Sequence, residues 1–487
     1  MTADASNRPR LKRPAGGPKP AIGIVHLGLG AFFRAHGALY IEEAMRISGG
    51  DWGILGVSLR HPDLRDRLAP QDYAYTACEL GPGGETLRIG TAVRSMLVAP
   101  EDPGAVLDAM ADPAVKIVSL TVTEKGYCHA PSTGKLDFAH PDIVADLADP
   151  QRPKSAPGFL CRALDRRRKA GLSPFTVLCC DNLPENGAML RGIVLELAKR
   201  MDDDLAVWIE AECCFPCTMV DRIVPATTDA DIERLAERTG TFDAAPVMHE
   251  PFRQWVIEDR FTGGARPDLG AVGVELVEDV RPYEHMKLRC LNGTHSALAY
   301  LGYLAGAETV SEAVARPALA GFIRHLWANE IIPVLTPPPG VDLNAYADAL
   351  MDRYANPGIR HRTWQIAMDG SLKLPQRLLG SIAENLAAGH APEGLFLVVA
   401  AWIRYTSGTD EKGDAIDVRD PMADRLRAIW EKGGSLAEIV RGFLAIGEIF
   451  PASLAADPAM REGLEKALVT LMDIGAEKAA ARFELAS

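Results

Sequence analysis

Hydrophobic positions along the chain fall into two textures. Up to about residue 284, short and nearly continuous apolar runs alternate with longer mixed stretches. The runs 21–27, 52–59, 116–124 and 175–182 are rich in Val, Ile, Leu and Cys, and several end in polar residues. Runs of that length, bounded by Gly, Pro or polar positions, predict strands buried on both faces of a parallel sheet. The stretch 34–47, by contrast, reads as a helix. After about residue 285 the spacing becomes helical, interrupted by Pro and Gly, over 296–304, 311–327, 343–354, 374–388, 394–405 and 422–430. Strands alternating with helices, followed by a purely helical half, predict an α/β domain with an all-α domain behind it.

The first strand runs into Gly28-Leu29-Gly30-Ala31-Phe32-Phe33 and then the helix. Strand, G-x-G and helix in that order is the arrangement that brings backbone close to a pyrophosphate, with Gly28, Gly30, Ala31 and Phe32 in the loop. Phe33 stands where the fingerprint has its third glycine, so the loop equally fits a tight strand-to-helix turn. The expected fold class is therefore α/β, a Rossmann-like N-terminal dinucleotide-binding domain followed by a mostly α-helical C-terminal domain. Its expected boundaries are a disordered leader at 1–20, the dinucleotide-binding domain at 21–284 and a helical substrate and catalytic domain at 285–487.

Ligands in such sheets collect at the carboxyl ends of strands. Arg60 and Asp63 follow the second run, Thr123 and Glu124 end the third, and Asn182 ends the fourth, while 215–222 supplies another carboxylate, Asp221, at a loop. An acidic residue after the second strand reads the ribose of NAD, whereas Arg accepts the extra phosphate of NADP. Both residue types are present, so NAD is expected with NADP left open.

The change of texture falls on Pro282-Tyr-Glu-His-Met-Lys287-Leu-Arg-Cys-Leu-Asn292-Gly-Thr-His295-Ser296. A helix beginning near Pro282 would place Lys287, Asn292 and His295 within an arc of roughly 140° at about 100° per residue. An amine, an amide and an imidazole can then face one cavity, at a domain seam where ligand clefts tend to lie. Lys held against an apolar face loses hydration and can exchange a proton near neutral pH. Asn can donate to an oxygen that becomes alkoxide-like, and His can orient a hydroxyl. The spacing alone also fits an amphipathic helix with a snorkelling Lys and a core His.

Bulk properties narrow the class. The 487 residues carry a net charge of −13 with 47% hydrophobic positions, which disfavours a nucleic-acid partner and allows a large core. The apolar run 395–403 is too short to span a bilayer. The basic leader lacks the apolar core of a signal peptide. Nine cysteines form no disulfide framework in a chain this long, and Cys214-Phe-Pro-Cys217 has no second pair at zinc-ribbon spacing, so no metal is expected and the location is expected to be cytoplasmic. The segment Arg360-His361-Arg362-Thr-Trp-Gln365, continuing to Lys373, reads either as a helix end or as a wall that holds an anion.

Several of these stretches together resemble the polyol-specific long-chain dehydrogenases, the mannitol dehydrogenase family. The resemblance rests on Gly28-x-Gly30-Ala-Phe-Phe-Arg-Ala-His36, Ser119-Leu-Thr-Val-Thr-Glu-Lys-Gly-Tyr127, Cys180-Asp-Asn-Leu-Pro-Glu-Asn-Gly187, Phe215-Pro-Cys-Thr-Met-Val-Asp-Arg-Ile223, Glu250-Pro-Phe-Arg-Gln-Trp-Val-Ile-Glu-Asp259 and Lys287-x-x-x-x-Asn292-x-x-His295. It implies NAD(P)-dependent, metal-independent interconversion of a secondary alcohol and a ketose. Carried over, Lys287 resembles the general acid/base, Asn182 and Asn292 the amide donors, His295 a substrate-orienting residue and Glu284 a carboxylate gating the proton path. Asp221 and Lys373 resemble residues lining the sugar site. Mannitol-oxidising members carry Arg where this chain has Gln365, and the run 360–373 with its His361 and Arg362 is more similar to the fructuronate reductase branch. The expected partner is thus a small sugar acid or polyol, with no nucleic acid or membrane, bound by a monomer or small homo-oligomer.

Overall fold

The computed structural model describes residues 8–17, 19–130 and 134–483. Contacts divide the chain into two compact units, Met1–Arg281 and Pro282–Ser487.

The first unit carries β1 (Ile22–Leu27), β2 (Gly53–Ser58), β3 (Tyr75–Gly81), β4 (Gly84–Gly90), β5 (Val93–Val98), β6 (Ile117–Leu120), β7 (Thr176–Cys179), β8 (Thr218–Asp221), β9 (Val247–His249), β10 (Gln254–Glu258) and β11 (Glu275–Val277). Five of them form a parallel sheet in the order β5-β2-β1-β6-β7. The chain winds outward from β1 to β2 and β5, then returns to β6 on the other side of β1. That reversal is the topological switch at which doubly wound sheets bind ligands. Val25, Leu27, Ile54, Val57, Val118 and Leu120 are fully buried, as expected for strands covered on both faces.

The helix expected over 34–47 is instead two pieces, Ala31–Ala35 and Gly37–Ser48. The break is at His36, whose backbone (φ −126°, ψ −89°) leaves the helical region. Its ring lies against Phe32, Tyr40 and Trp255, and Nε2 donates to the Gln254 carbonyl at 2.9 Å. Two three-stranded sheets, β11-β10-β8 and β4-β3-β9, complete the unit. Part of the expected disordered leader is packed, which corrects that reading for residues 8–17. Leu11 is buried and its N–H donates to the Phe242 carbonyl at 2.8 Å. Arg13 donates to the carbonyls of Thr91 and Val93, both at 2.6 Å, so its planar fork occupies acceptors at the free edge of β5. Residues 1–7 and 18 of that leader lie outside the described residues.

The second unit is helical. Glu393–Tyr405 is buried nearly all round, including Trp402, and it packs against Pro458–Ile474. Helical runs expected as single pieces are broken. Pro317 opens a new helix within 311–327. Pro375, which has no N–H to donate, opens a π turn, Pro375–Leu379, within 374–388. Two further π turns are Lys287–Gly293 and Leu326–Ile331. No helix among the described residues is long and apolar enough to cross a membrane. All nine cysteines are free thiols, and only Cys214 is not buried.

Candidate active site

In the first unit, the backbone itself builds the turn after β1. Gly28 has φ +85°, and a Cβ there would lie 2.4 Å from the Thr121 carbonyl oxygen. Only glycine combines that conformation with that approach. Its N–H donates to Val57 and its carbonyl accepts from Thr121 Oγ1 at 3.0 Å. Since the Thr121 proton is committed there, Thr121 Oγ1 must accept from His26 Nε2 at 2.8 Å. His26 Nδ1 then accepts from Ser119 Oγ, also at 2.8 Å. Burial pulls His26 down to about 3, so it is neutral. Its ring stacks on Phe33 at 3.5 Å. Phe33 thus fills the third-glycine position by packing on a histidine beneath the loop.

The strand ends border a cleft of about 1100 Å³, lined among others by Gly28, Arg60, Asp63, Thr121 and Gly126. Of the other residues expected at the cofactor, Gly30, Ala31, Phe32, Thr123 and Glu124 do not line it. Thr123 has φ +66° and ψ 164°, a strained backbone for a β-branched residue. Asp181 holds it: the carboxylate accepts from the N–H of Val122 (2.8 Å) and Thr123 (3.2 Å) and from the Tyr127 hydroxyl (2.5 Å). Burial raises the Asp181 pKa and those three donors oppose the rise. Asn182 follows, exposed, at the end of β7. The Asn186 amide ties that turn to β8, donating to the carbonyls of Asp181 (3.0 Å) and Thr218 (2.9 Å). Asp221 closes β8 and is buried.

Cys128, His140 and Asp142 present donor atoms within 4.8 Å of one another. Burial pushes the Cys128 thiol up to about 12, with nearby Asp142 and Asp146 adding to the rise.

The second unit begins within helix Arg281–Met286, which passes into the π turn Lys287–Gly293 and then into helix Thr294–Leu304. Lys287 and Asn292 are five residues apart, the hydrogen-bond step of a π turn. They therefore stack about one turn apart, closer than the roughly 140° that a uniform α-helix would put between them. Glu284, Lys287, Asn292 and His295 are all buried, between 6% and 8% exposed, although long polar side chains rarely are. The His295 ring lies 4.8 Å from Tyr354 and 5.3 Å, edge-on, from His361. Burial holds His295 well below the usual imidazole range, and His361, Arg353, Arg377 and Lys287 push it the same way. Among the described residues nothing bonds its buried Nε2. A buried imidazole nitrogen in that state is a ready partner for a ligand hydroxyl.

The expected basic wall is only partly assembled around His295. His361 meets it directly, and burial together with Lys373 and Arg377 brings His361 to about 4. Lys373 Nζ donates to the carbonyls of Ile366 (3.1 Å) and Met368 (2.5 Å). Arg362 and Gln365 are exposed. Arg353, Tyr354 and Arg377 were not anticipated as neighbours of this group. Tyr354 does end a helix read correctly from its spacing, Leu343–Tyr354.

Two family models match the chain, the mannitol dehydrogenase Rossmann domain over residues 22–270 and the mannitol dehydrogenase C-terminal domain over 279–472. The D-mannonate oxidoreductase of Escherichia coli is 48% identical over 433 residues, 85% of this chain and 89% of that protein. A mannitol 2-dehydrogenase of Cereibacter sphaeroides is 42% identical over 472 residues, 95% and 98% of the two chains. Among solved structures, the Pseudomonas fluorescens mannitol 2-dehydrogenase in ternary complex with NAD and D-mannitol superposes with a TM-score of 0.85. It shows 38% identity, covering 99% of this chain and 95% of that one. The dinucleotide-type sheet, the Lys287–His295 helix and these matches over nearly the whole chain agree: the chain is an oxidoreductase of the mannitol dehydrogenase family.

Proposed function

We propose that the protein catalyses the NAD-dependent interconversion of D-fructuronate and D-mannonate, with Lys287 as general acid/base. The observation that carries this reading is the buried group Lys287, Asn292 and neutral His295 on one continuous helix. NADH, when bound, supplies the hydride. In the reductive direction Lys287 gives its proton to the ketone oxygen, while the amides of Asn292 and Asn182 donate to the same oxygen as it gains charge. His295 offers Nε2 to a substrate hydroxyl. Glu284, one turn before Lys287, relays the proton. Asp221 and Lys373 line the sugar site, and Arg60 and Asp63 flank the adenosine end of the cofactor.

An acidic substrate is supported by the cationic side chains near His295, where Arg353, Arg377 and Lys287 all oppose its protonation. A carboxylate entering such surroundings gains about 1.5–3 kcal/mol per charge-assisted hydrogen bond. The E. coli relative named for D-mannonate points the same way. The exposure of Arg362 favours a second reading, a neutral ketose and hexitol pair such as fructose and mannitol.

Oxidation of NADH and NADPH followed with fructuronate, tagaturonate, fructose and xylulose decides between the two. The expected result is a kcat/KM for fructuronate with NADH roughly tenfold or more above the others, equivalent to about 1.4 kcal/mol. A preference for fructose would replace the first reading with the second. If Arg362 holds the acid, Arg362→Ala raises KM for fructuronate far more than for fructose. Equal effects on both substrates would remove the carboxylate role.

A further inference from the structure

A π turn bonds each amide to the carbonyl five residues back, and the following α-helix bonds it four back. Where one gives way to the other, the ladder skips a carbonyl, and a buried carbonyl without a partner is costly. The junction between Lys287–Gly293 and Thr294–Leu304 lies in this buried helix. Three consecutive carbonyls there receive side-chain donors from elsewhere in the same unit.

Trp327 Nε1 donates to the Cys290 carbonyl at 3.0 Å, and the Tyr354 hydroxyl donates to the Leu291 carbonyl at 2.9 Å. Arg377 Nη1 reaches the Asn292 carbonyl at 3.4 Å and Ser296 Oγ at 3.2 Å. Thr294 Oγ1 also donates to Cys290, at 2.5 Å, and lies 2.8 Å from the Tyr354 hydroxyl. The Trp327 and Tyr354 rings are buried and stacked, with centroids 6.1 Å apart and an interplanar angle of 18°. Trp327 and Arg377 themselves stand in the other two π turns, Leu326–Ile331 and Pro375–Leu379. Both of those turns contact the first.

We infer that Trp327, Tyr354 and Arg377 are positioning residues whose donors hold the π turn and so keep Lys287 and Asn292 on a common face. The inference rests on the acid/base role proposed for Lys287. A helix relaxed to uniform α geometry would swing Asn292 away from Lys287 by most of a quarter turn. The donors would then control proton transfer and alkoxide stabilisation without touching substrate.

Two conservative variants separate this from simple support of the fold. Tyr354→Phe removes one oxygen, and Trp327→Phe removes the N–H while keeping an aromatic ring. Each is expected to keep NADH affinity near wild type and to lower the thermal midpoint by only a few degrees, the cost of one buried acceptor left without its donor. Each is also expected to lower kcat roughly tenfold, equivalent to about 1.4 kcal/mol. The limb of the pH–kcat profile that Lys287→Ala abolishes should move by about half a unit or more. Arg377→Lys should restore part of the kcat lost in Arg377→Met.

The inference is overturned if both Phe variants fold and keep the wild-type kcat and pH profile. It is equally overturned if they lose stability while kcat per folded molecule is unchanged, or if neither variant folds, for then the donors serve only the fold. These outcomes are distinct from failure of the Lys287 reading, which shows as turnover retained in Lys287→Ala itself.

Discussion

The two units prepare their chemistry in opposite ways. In the first, the chain offers backbone: a glycine at φ +85°, strand ends, and a loop whose amides are held by the Asp181 carboxylate. Side chains such as His26 and Asp181 lie beneath and fix the main chain. In the second, the chain offers side chains, and backbone carbonyls are the groups being fixed, by Trp327, Tyr354 and Arg377. A cofactor with a diphosphate suits the first arrangement, since many small dipoles spread over a turn can follow an extended anion. A single proton transfer suits the second, which needs one amine at one place.

That contrast is broken most sharply at Lys287. Lys287→Ala should lower turnover by about 10²–10⁴-fold, the usual worth of a placed acid/base group, with NADH titration near wild type. A loss below tenfold, or a parallel loss of NADH affinity, would show that the two units do not divide the labour. The reciprocal change, Gly28→Ala, should weaken NADH binding by about tenfold, since an L residue at that φ costs roughly 1–2 kcal/mol before the clash with Thr121 is counted. At saturating NADH its kcat should approach that of wild type. If kcat fell while affinity held, the turn after β1 would not be serving the cofactor.

The smallest expected effect concerns His26. Burial depresses its pKa to about 3, whereas an unfolded histidine titrates near 6.5. Below about 6.5 the unfolded chain takes up a proton that native His26 refuses, so its contribution destabilises the fold progressively as pH falls toward 3. Between pH 6 and 4, urea unfolding of His26→Gln should therefore lose stability less steeply than wild type, by up to about 1.4 kcal/mol per pH unit. Identical slopes would mean that His26 is protonated in the native protein.

Legibility from sequence follows the same division. Strand-end positions were readable because a buried parallel strand is a short apolar run whose polar terminus marks the ligand edge. Gly28, Arg60 and Asp63 were reached that way, and the structure lines one cleft with them. The hairpin of β3 and β4 went unread although Gly81-Pro-Gly-Gly84 marks its turn, because its strands are only half buried and lack a continuous apolar run. Lys287, Asn292 and His295 were grouped by helical spacing, but with an angle drawn for a uniform α-helix where the chain forms a π turn. A π turn leaves no periodic signature over seven residues. Its stabilising donors lie 37, 63 and 85 residues away, beyond any local pattern. Asp181 was overlooked beside Asn182 because a strand-end carboxylate looks the same whether it meets solvent or main-chain amides.

The burial of the cysteines has a practical consequence. Reagents that alkylate sulfur act on thiolates, and burial pushes Cys78 up to about 11 and Cys290 up to about 12. Eight of the nine thiols are shielded, and Cys214 alone is partly open. A maleimide dye added to the native protein therefore has a single address, a few residues ahead of Asp221 and β8. An environment-sensitive fluorophore installed there would report from the first unit without any cysteine having to be removed.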